Sequence, residues 1–375
     1  MSTLNTDLCP PRFSAVREVF IGHLDSGQEL GAGFALAIDG EIVIDLTGGF
    51  ADRHRTKPFG PRTLASIFST TKAATALMIA RLVSQGRLDY GQTVASVWPE
   101  FAAAGKQDIT VGQALSHQAG LSGFLEPMEP SLWFDWDAIV AKLAAMAPMW
   151  PPGTASGYHP LTFGFLAGEI FRRVDGRMLG VALREDVAGP LGLDLWIGLP
   201  DSEHGRVATI EKPREPAGFG PLSDPVRAAF LTRWASIAGK GMGDWLSAEF
   251  AGAGGQATAT ALARLMAALA CDGAVGDARV LEPGVAAQVS AERIAGRDLV
   301  LPFDISWGAG VMRNEPNMFY GPNGAAVGHS GWGGSCAFAD ADRRLSGAYV
   351  MNRQSSALIG DIRPRALIDA VYAAF

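Results

Sequence analysis

A hydroxyl and an amine head the run Ser69-Thr70-Thr71-Lys72, three positions apart. The pattern turns helical after Phe68, which places Ser69 in the first turn and Lys72 over the same face. A serine hydroxyl is a weak nucleophile at neutral pH and needs a neighbouring base; a lysine serves once burial lowers its pKa. The run Ala73 to Val83 is apolar on nearly every side except at Arg81, the pattern of a helix inside a domain, so a desolvated Lys72 is expected. The start of such a helix adds amide donors and the positive dipole end beside Ser69. Taken alone, the spacing also fits a serine-capped helix carrying a solvated lysine.

Two further stretches could complete that chemistry. Tyr158 lies in a loop, Ser156-Gly157-Tyr158-His159-Pro160, just before an apolar helix. A phenol held beside a protonated lysine can act as a general base, although a tyrosine at a helix start also serves as packing. Near the end, Val327-Gly328-His329-Ser330-Gly331-Trp332-Gly333-Gly334-Ser335 carries more glycine than a strand needs. Glycine there lets another group approach the backbone closely, and a substrate carbonyl would fit. If this is an edge strand, a free amide from it and the Ser69 amide would form an oxyanion hole, worth about 3 to 4 kcal/mol per donor. A plain β-bulge gives the same composition.

These groups need a scaffold. Phe13 to Leu24 reads as an amphipathic helix with Val16, Val19, Phe20 and Leu24 on one stripe. Gly33 to Ile38 and Glu41 to Leu46 read as a hairpin turning at Asp39-Gly40. From Leu88 the chain becomes short helices and loops rich in Ala, Trp and Pro, and Asp201 to Leu246 reads as long loops over the site. His117, before Gly120, is expected to bond nearby backbone and fix a turn. Ala257 to Cys271 is a helix; Ile305 to Met312, Ala326 to Gly328, Ser335 to Ala339 and Ser346 to Asn352 are strand-like; Pro364 to Phe375 closes as a helix. The division expected is a discontinuous sheet domain, 1–90 with 275–375, and a mainly helical domain, 91–274.

Composition narrows the function. With 48% hydrophobic and 18% charged residues in 375, the chain can bury a large core. A net charge of -7 argues against nucleic acid or an anionic membrane as partner, and favours a small neutral or cationic molecule. Cys9, Cys271 and Cys336 are too scattered for a disulfide framework or a zinc site and are expected in the core. No metal or organic cofactor is called for. Met1 to Pro11 lacks the basic and apolar runs of a secretory signal, no apolar stretch reaches spanning length, and a cytoplasmic location is expected.

In order and rough spacing, Ser69-Thr70-Thr71-Lys72, Tyr158-His159-Pro160 and His329-Ser330-Gly331 resemble the three motifs of serine β-lactamases and penicillin-binding-protein-like hydrolases. The chain is most similar to class C β-lactamases and family VIII carboxylesterases, with further likeness at Leu115-Ser116-His117-Gln118-Ala119-Gly120, Gly168-Glu169-Ile170 and Trp332-Gly333-Gly334. The resemblance implies an α+β fold, an antiparallel sheet flanked by helices with an inserted all-helical region. It implies acylation of Ser69, base and acid roles shared by Lys72 and Tyr158, an oxyanion held by the amides of Ser69 and Trp332, and substrate contacts along His329, Ser330, Gly331 and Trp332.

Two departures bear on the substrate. The second motif of that family usually ends in Asn, which orients an acylamino group; here Pro160 has no side-chain donor or acceptor. The third usually opens with Lys, a cation for a substrate carboxylate; here it is His329, largely neutral at pH 7, with Tyr158 or a substrate oxygen as its open partners. Both changes remove recognition of an anionic amide and leave the nucleophile, base and oxyanion donors in place. A carboxylesterase acting on small neutral, short-chain esters is therefore expected. The alternatives are a β-lactamase or D-alanyl-D-alanine peptidase-like activity, and a catalytically idle binding domain. A Gly-x-Ser-x-Gly elbow is absent from the sequence.

Overall fold

The computed structural model describes residues 4–375. In chain order the strands are β1 (Asn5–Leu8), β2 (Gly31–Ile38), β3 (Glu41–Gly49), β4 (Ala65–Phe68), β5 (Leu195–Ile197), β6 (Gly255–Ala257) and β7 (Ala274–Val275). They continue with β8 (Ala278–Arg279), β9 (Ile294–Arg297), β10 (Asp304–Trp307), β11 (Met312–Arg313), β12 (Val327–Ser330), β13 (Cys336–Asp340) and β14 (Leu345–Met351). Nine of them form an antiparallel sheet in the order β1-β3-β2-β14-β13-β12-β11-β10-β9. The hairpin β2–β3 turns at Asp39 (φ 52°) and Gly40 (φ 82°), the paired left-handed conformation that Asp-Gly supplies.

Alternation along the central strands sorts the core into two layers. Phe34, Leu36, Phe338 and Tyr349 point to one face, where Phe13 and, from the helix Ser14–Asp25 that follows it, Val16 and Phe20 meet Leu367, Ile368 and Val371 of the helix Ile362–Tyr372. Ala35, Ala337, Ala348 and Val350 point to the other face, against the helix Ala259–Ala270. Small residues on that second face let the helix lie close, while the first face is filled by aromatic rings. Cys9, Cys271 and Cys336 are free and buried, as expected of core residues.

A separate sheet, β4-β6-β5, carries the chain into the helix Thr71–Ser84, which packs against the helix Thr162–Asp175. Eleven of the fourteen residues of Thr71–Ser84 are buried, including Lys72, so the apolar run is an interior helix. The expected division at 274/275 needs correction: the helix Ala259–Ala270, placed with the helical domain by sequence, lies on β2, β13 and β14 of the large sheet. Ile305 to Met312 is likewise two short strands, β10 and β11, separated by a turn with Gly310 at φ 81°. Among the described residues no helix is long and apolar enough to cross a membrane.

Candidate active site

Ser69 follows Phe68, whose φ of 46° is costly for a bulky side chain. The helix proper starts only at Thr71, so Ser69 occupies the strand-to-helix turn, just ahead of the first helical turn expected from sequence. Thr71 fixes this turn by donating its hydroxyl to the Phe68 carbonyl (2.5 Å) and accepting the Gly255 amide (2.9 Å).

Lys72 is fully buried, and burial holds its amine well below the usual lysine range. Its Nζ lies 2.8 Å from the Pro160 carbonyl, 2.8 Å from the Gly252 carbonyl and 3.1 Å from Ser69 Oγ. A neutral amine has two N–H groups and one lone pair. Carbonyl oxygens can only accept, so they take both N–H groups, and the lone pair is left for the Ser69 hydroxyl. In the neutral form that burial favours, Lys72 can act as a general base toward Ser69.

Tyr158 joins them: Lys72 Nζ stands 4.8 Å from its ring centroid, and its hydroxyl interacts with Ser69. Burial pushes the phenol up, and the Ser69 contact offsets this only in part. The phenolate expected from a neighbouring ammonium is therefore disfavoured; a neutral O–H beside a neutral amine suits proton donation to a leaving group. The Tyr158 backbone is held by Asp298, a buried carboxylate that accepts the amides of Tyr158, Val300 and Leu301, each at 2.9 Å. Sequence reasoning missed Asp298, since an isolated Asp in a loop carries no spacing signal.

Three buried imidazoles surround this group, each with its tautomer set by backbone. His159 donates from Nδ1 to Gly157 O (2.6 Å) and accepts the Leu121 amide at Nε2 (3.0 Å). His117, at φ 62°, accepts the His159 amide at Nδ1 (3.1 Å), and its ring stands 4.9 Å from Tyr158 and 4.3 Å from Trp307. It bonds backbone as expected, but of a distant segment, and stands beside the phenol. His329 donates from Nδ1 to the Ser330 carbonyl (2.8 Å), which leaves an unpartnered lone pair on Nε2. Burial holds His329 down to about 3, so the ring stays neutral.

The expected edge strand is an interior one with a free end. β12 pairs with β13 throughout but with β11 only at Val327 and Gly328. Trp332 lies in the turn after it, and among the described residues neither its amide nor that of Ser69 donates to a backbone acceptor. The Ser330 hydroxyl, expected to meet substrate, is instead 3.1 Å from the Tyr320 hydroxyl and lines a small cavity with Phe319 and Cys336. Gly331 faces the nucleophile turn: a Cβ there would stand against the Ile67 carbonyl, inside van der Waals contact, and 2.9 Å from Thr70 Oγ1. Gly331→Ala is expected to cost about 1 to 3 kcal/mol of stability through overpacking, read as a lower denaturation midpoint, and to lower turnover. The side chain of Trp332 packs against Phe219 (6.2 Å between ring centroids) and Phe230 (5.8 Å), so the 201–246 loops do reach the site.

Comparison with known proteins shows the family of the whole chain. The Beta-lactamase family matches residues 16–372. The esterase/beta-lactamase LipL of Mycobacterium tuberculosis is 33% identical over 364 residues, covering 93% of this chain and 83% of that one. The crystal structure of a penicillin-binding protein homologue from Caulobacter crescentus superimposes with a TM-score of 0.97 at 61% identity, covering 100% of both chains. That of a family VIII carboxylesterase does so with a TM-score of 0.92 at 41% identity, again over 100% of both.

Proposed function

The chain belongs to the beta-lactamase family and is a hydrolase of that superfamily, and from that premise we propose that it hydrolyses small neutral carboxylic esters through an acyl-enzyme on Ser69. Lys72 takes the proton of Ser69 as the hydroxyl attacks the ester carbonyl, and the amides of Ser69 and Trp332 receive the developing oxyanion. Tyr158 passes its proton to the departing alkoxide and takes back one from the Lys72 ammonium, which restores the neutral amine; water then attacks the acyl-enzyme with Lys72 as base, and Ser69 leaves with that proton.

The observation that carries the choice of ester is the tautomer of His329. A carboxylate approaching Nε2 would meet a lone pair on a neutral, buried ring, and would lose its hydration without gaining a cation. Pro160 contributes its carbonyl to Lys72 and has no amide to offer an acylamino group. A neutral ester needs neither partner. The names of LipL and the family VIII carboxylesterase support the same reading.

A second reading, acylation by β-lactams or D-alanyl peptides, is favoured by the name of the Caulobacter crescentus homologue and by the second half of LipL's. Turnover of p-nitrophenyl acetate and butyrate beside nitrocefin separates the two. We expect ester kcat/KM to exceed that for nitrocefin by roughly two orders of magnitude or more, because an anionic substrate loses its cation. Nitrocefin hydrolysis equal to ester turnover would overturn the ester assignment.

A further inference from the structure

The two amides assigned to the oxyanion come from turns at opposite ends of the chain, and one side chain lies between them. Ser335 is fully buried. Its Oγ is 2.8 Å from the Ile67 carbonyl and 3.0 Å from Thr70 Oγ1, and its own carbonyl accepts the Gly331 amide at 2.7 Å. Thr70 is the neighbour of Ser69, and Gly331 is the neighbour of Trp332.

The donor count fixes the direction of the chain of bonds. The Ile67 carbonyl can only accept, so it takes the Ser335 proton; Thr70 must then be the donor to the Ser335 lone pair. The order is Thr70 O–H to Ser335 Oγ, and Ser335 O–H to Ile67 O. Ile67 O also accepts the Thr70 amide (3.1 Å), the bond that closes the nucleophile turn. Ser335 thus grips the nucleophile turn with its hydroxyl and the Trp332 turn with its carbonyl. On the far side, the Trp332 turn is held by Arg363, which donates to the Gly333 carbonyl at 2.8 Å, and by Gln354, which donates to the Trp332 carbonyl at 3.3 Å.

We propose that Ser335 is a positioning residue for ester hydrolysis, setting the separation between the Ser69 and Trp332 amides so that both point at one oxygen. The proposal rests on the reading of Ser69 as nucleophile. An oxyanion hole works because its donors are held before charge develops, and a pair of turns free to drift would bind the ester equally well while stabilising its tetrahedral form less. Removing the hydroxyl leaves the ester's ground-state contacts untouched and loosens only the donors.

The test compares Ser335→Ala with the unaltered protein on a p-nitrophenyl ester and on the matching thionoester, whose sulfur is a much poorer partner for amide donors. The expected result is a kcat lower by roughly 10- to 100-fold, KM within about twofold, and a smaller rate advantage of oxygen over sulfur. Unchanged kcat in folded Ser335→Ala would overturn the proposal and leave the ester reading intact. A proportional loss on both esters would also overturn it, since that reports general damage. If Ser335→Ala does not fold, Thr70→Val and Thr70→Ser carry the test: loss in the first with rescue by the second supports the chain of bonds, and equal rates refute it. Full ester turnover in Ser69→Ala, measured alongside, would instead remove the underlying reading.

Discussion

Ser69→Ala is expected to abolish ester turnover, with a loss of roughly four to six orders of magnitude in kcat, because no acyl-enzyme can form. The fold is expected to survive. The substitution deletes one hydroxyl that Lys72 and Tyr158 address, and leaves the Lys72 bonds to Pro160 and Gly252 in place. A fluorophosphonate should add one covalent group to the unaltered protein, located at Ser69 by peptide mass analysis, and none to the variant. Turnover that persists in Ser69→Ala would mean either another nucleophile or an idle site with a contaminant at work, and the mass of the labelled peptide separates those outcomes.

The second large effect concerns Lys72. Lys72→Met fills similar space without a lone pair, and should lower kcat/KM by roughly two to four orders of magnitude. It also leaves the Pro160 and Gly252 carbonyls without their donor, a cost of about 1 to 3 kcal/mol for each buried acceptor, so denaturation midpoints must be measured beside rates. The pH profile gives the sharper reading. On the proposed mechanism Lys72 is the base only when neutral; as pH falls through its pKa the amine would take a proton, lose its lone pair, and acylation would decline. Burial has lowered that pKa, so the acid limb should lie well below the range of an ordinary lysine. The histidines cannot supply this limb, since burial keeps His159 and His329 neutral down to about 3 and holds His117 well below the usual histidine range. An acid limb that survives in Lys72→Met would assign the base elsewhere.

Legibility differed between the elements for physical reasons. The Asp39-Gly40 hairpin, the amphipathic helix near the start and the apolar helix after Lys72 are local patterns, and the sequence carries them without help from the rest of the chain. The three separated segments bearing Ser69, Tyr158 and His329 do stand together in the structure. What could not be read was tertiary. β12 has an open flank at His329 and Ser330 only because β11 does not begin until Met312, and the direction of the Ser330 hydroxyl depends on Tyr320. Asp298 matters through three backbone amides whose arrival no spacing foretells. The protonation states were also hidden: a lysine and a tyrosine in contact suggest ammonium and phenolate, whereas shared burial favours amine and phenol.

The distance in sequence between Ile67 and Ser335, 268 positions, has a consequence for biosynthesis. A ribosome adding roughly 5 to 20 residues per second exposes the serine many seconds before the segment that would complete its electrostatic cradle. If Ser69 is the nucleophile proposed above, a nascent polypeptide would carry an unarmed hydroxyl, and reactivity toward acyl donors would switch on only when the last strands dock beside the first. Late docking of this kind would postpone stray acylation of the half-made protein until the molecule is whole.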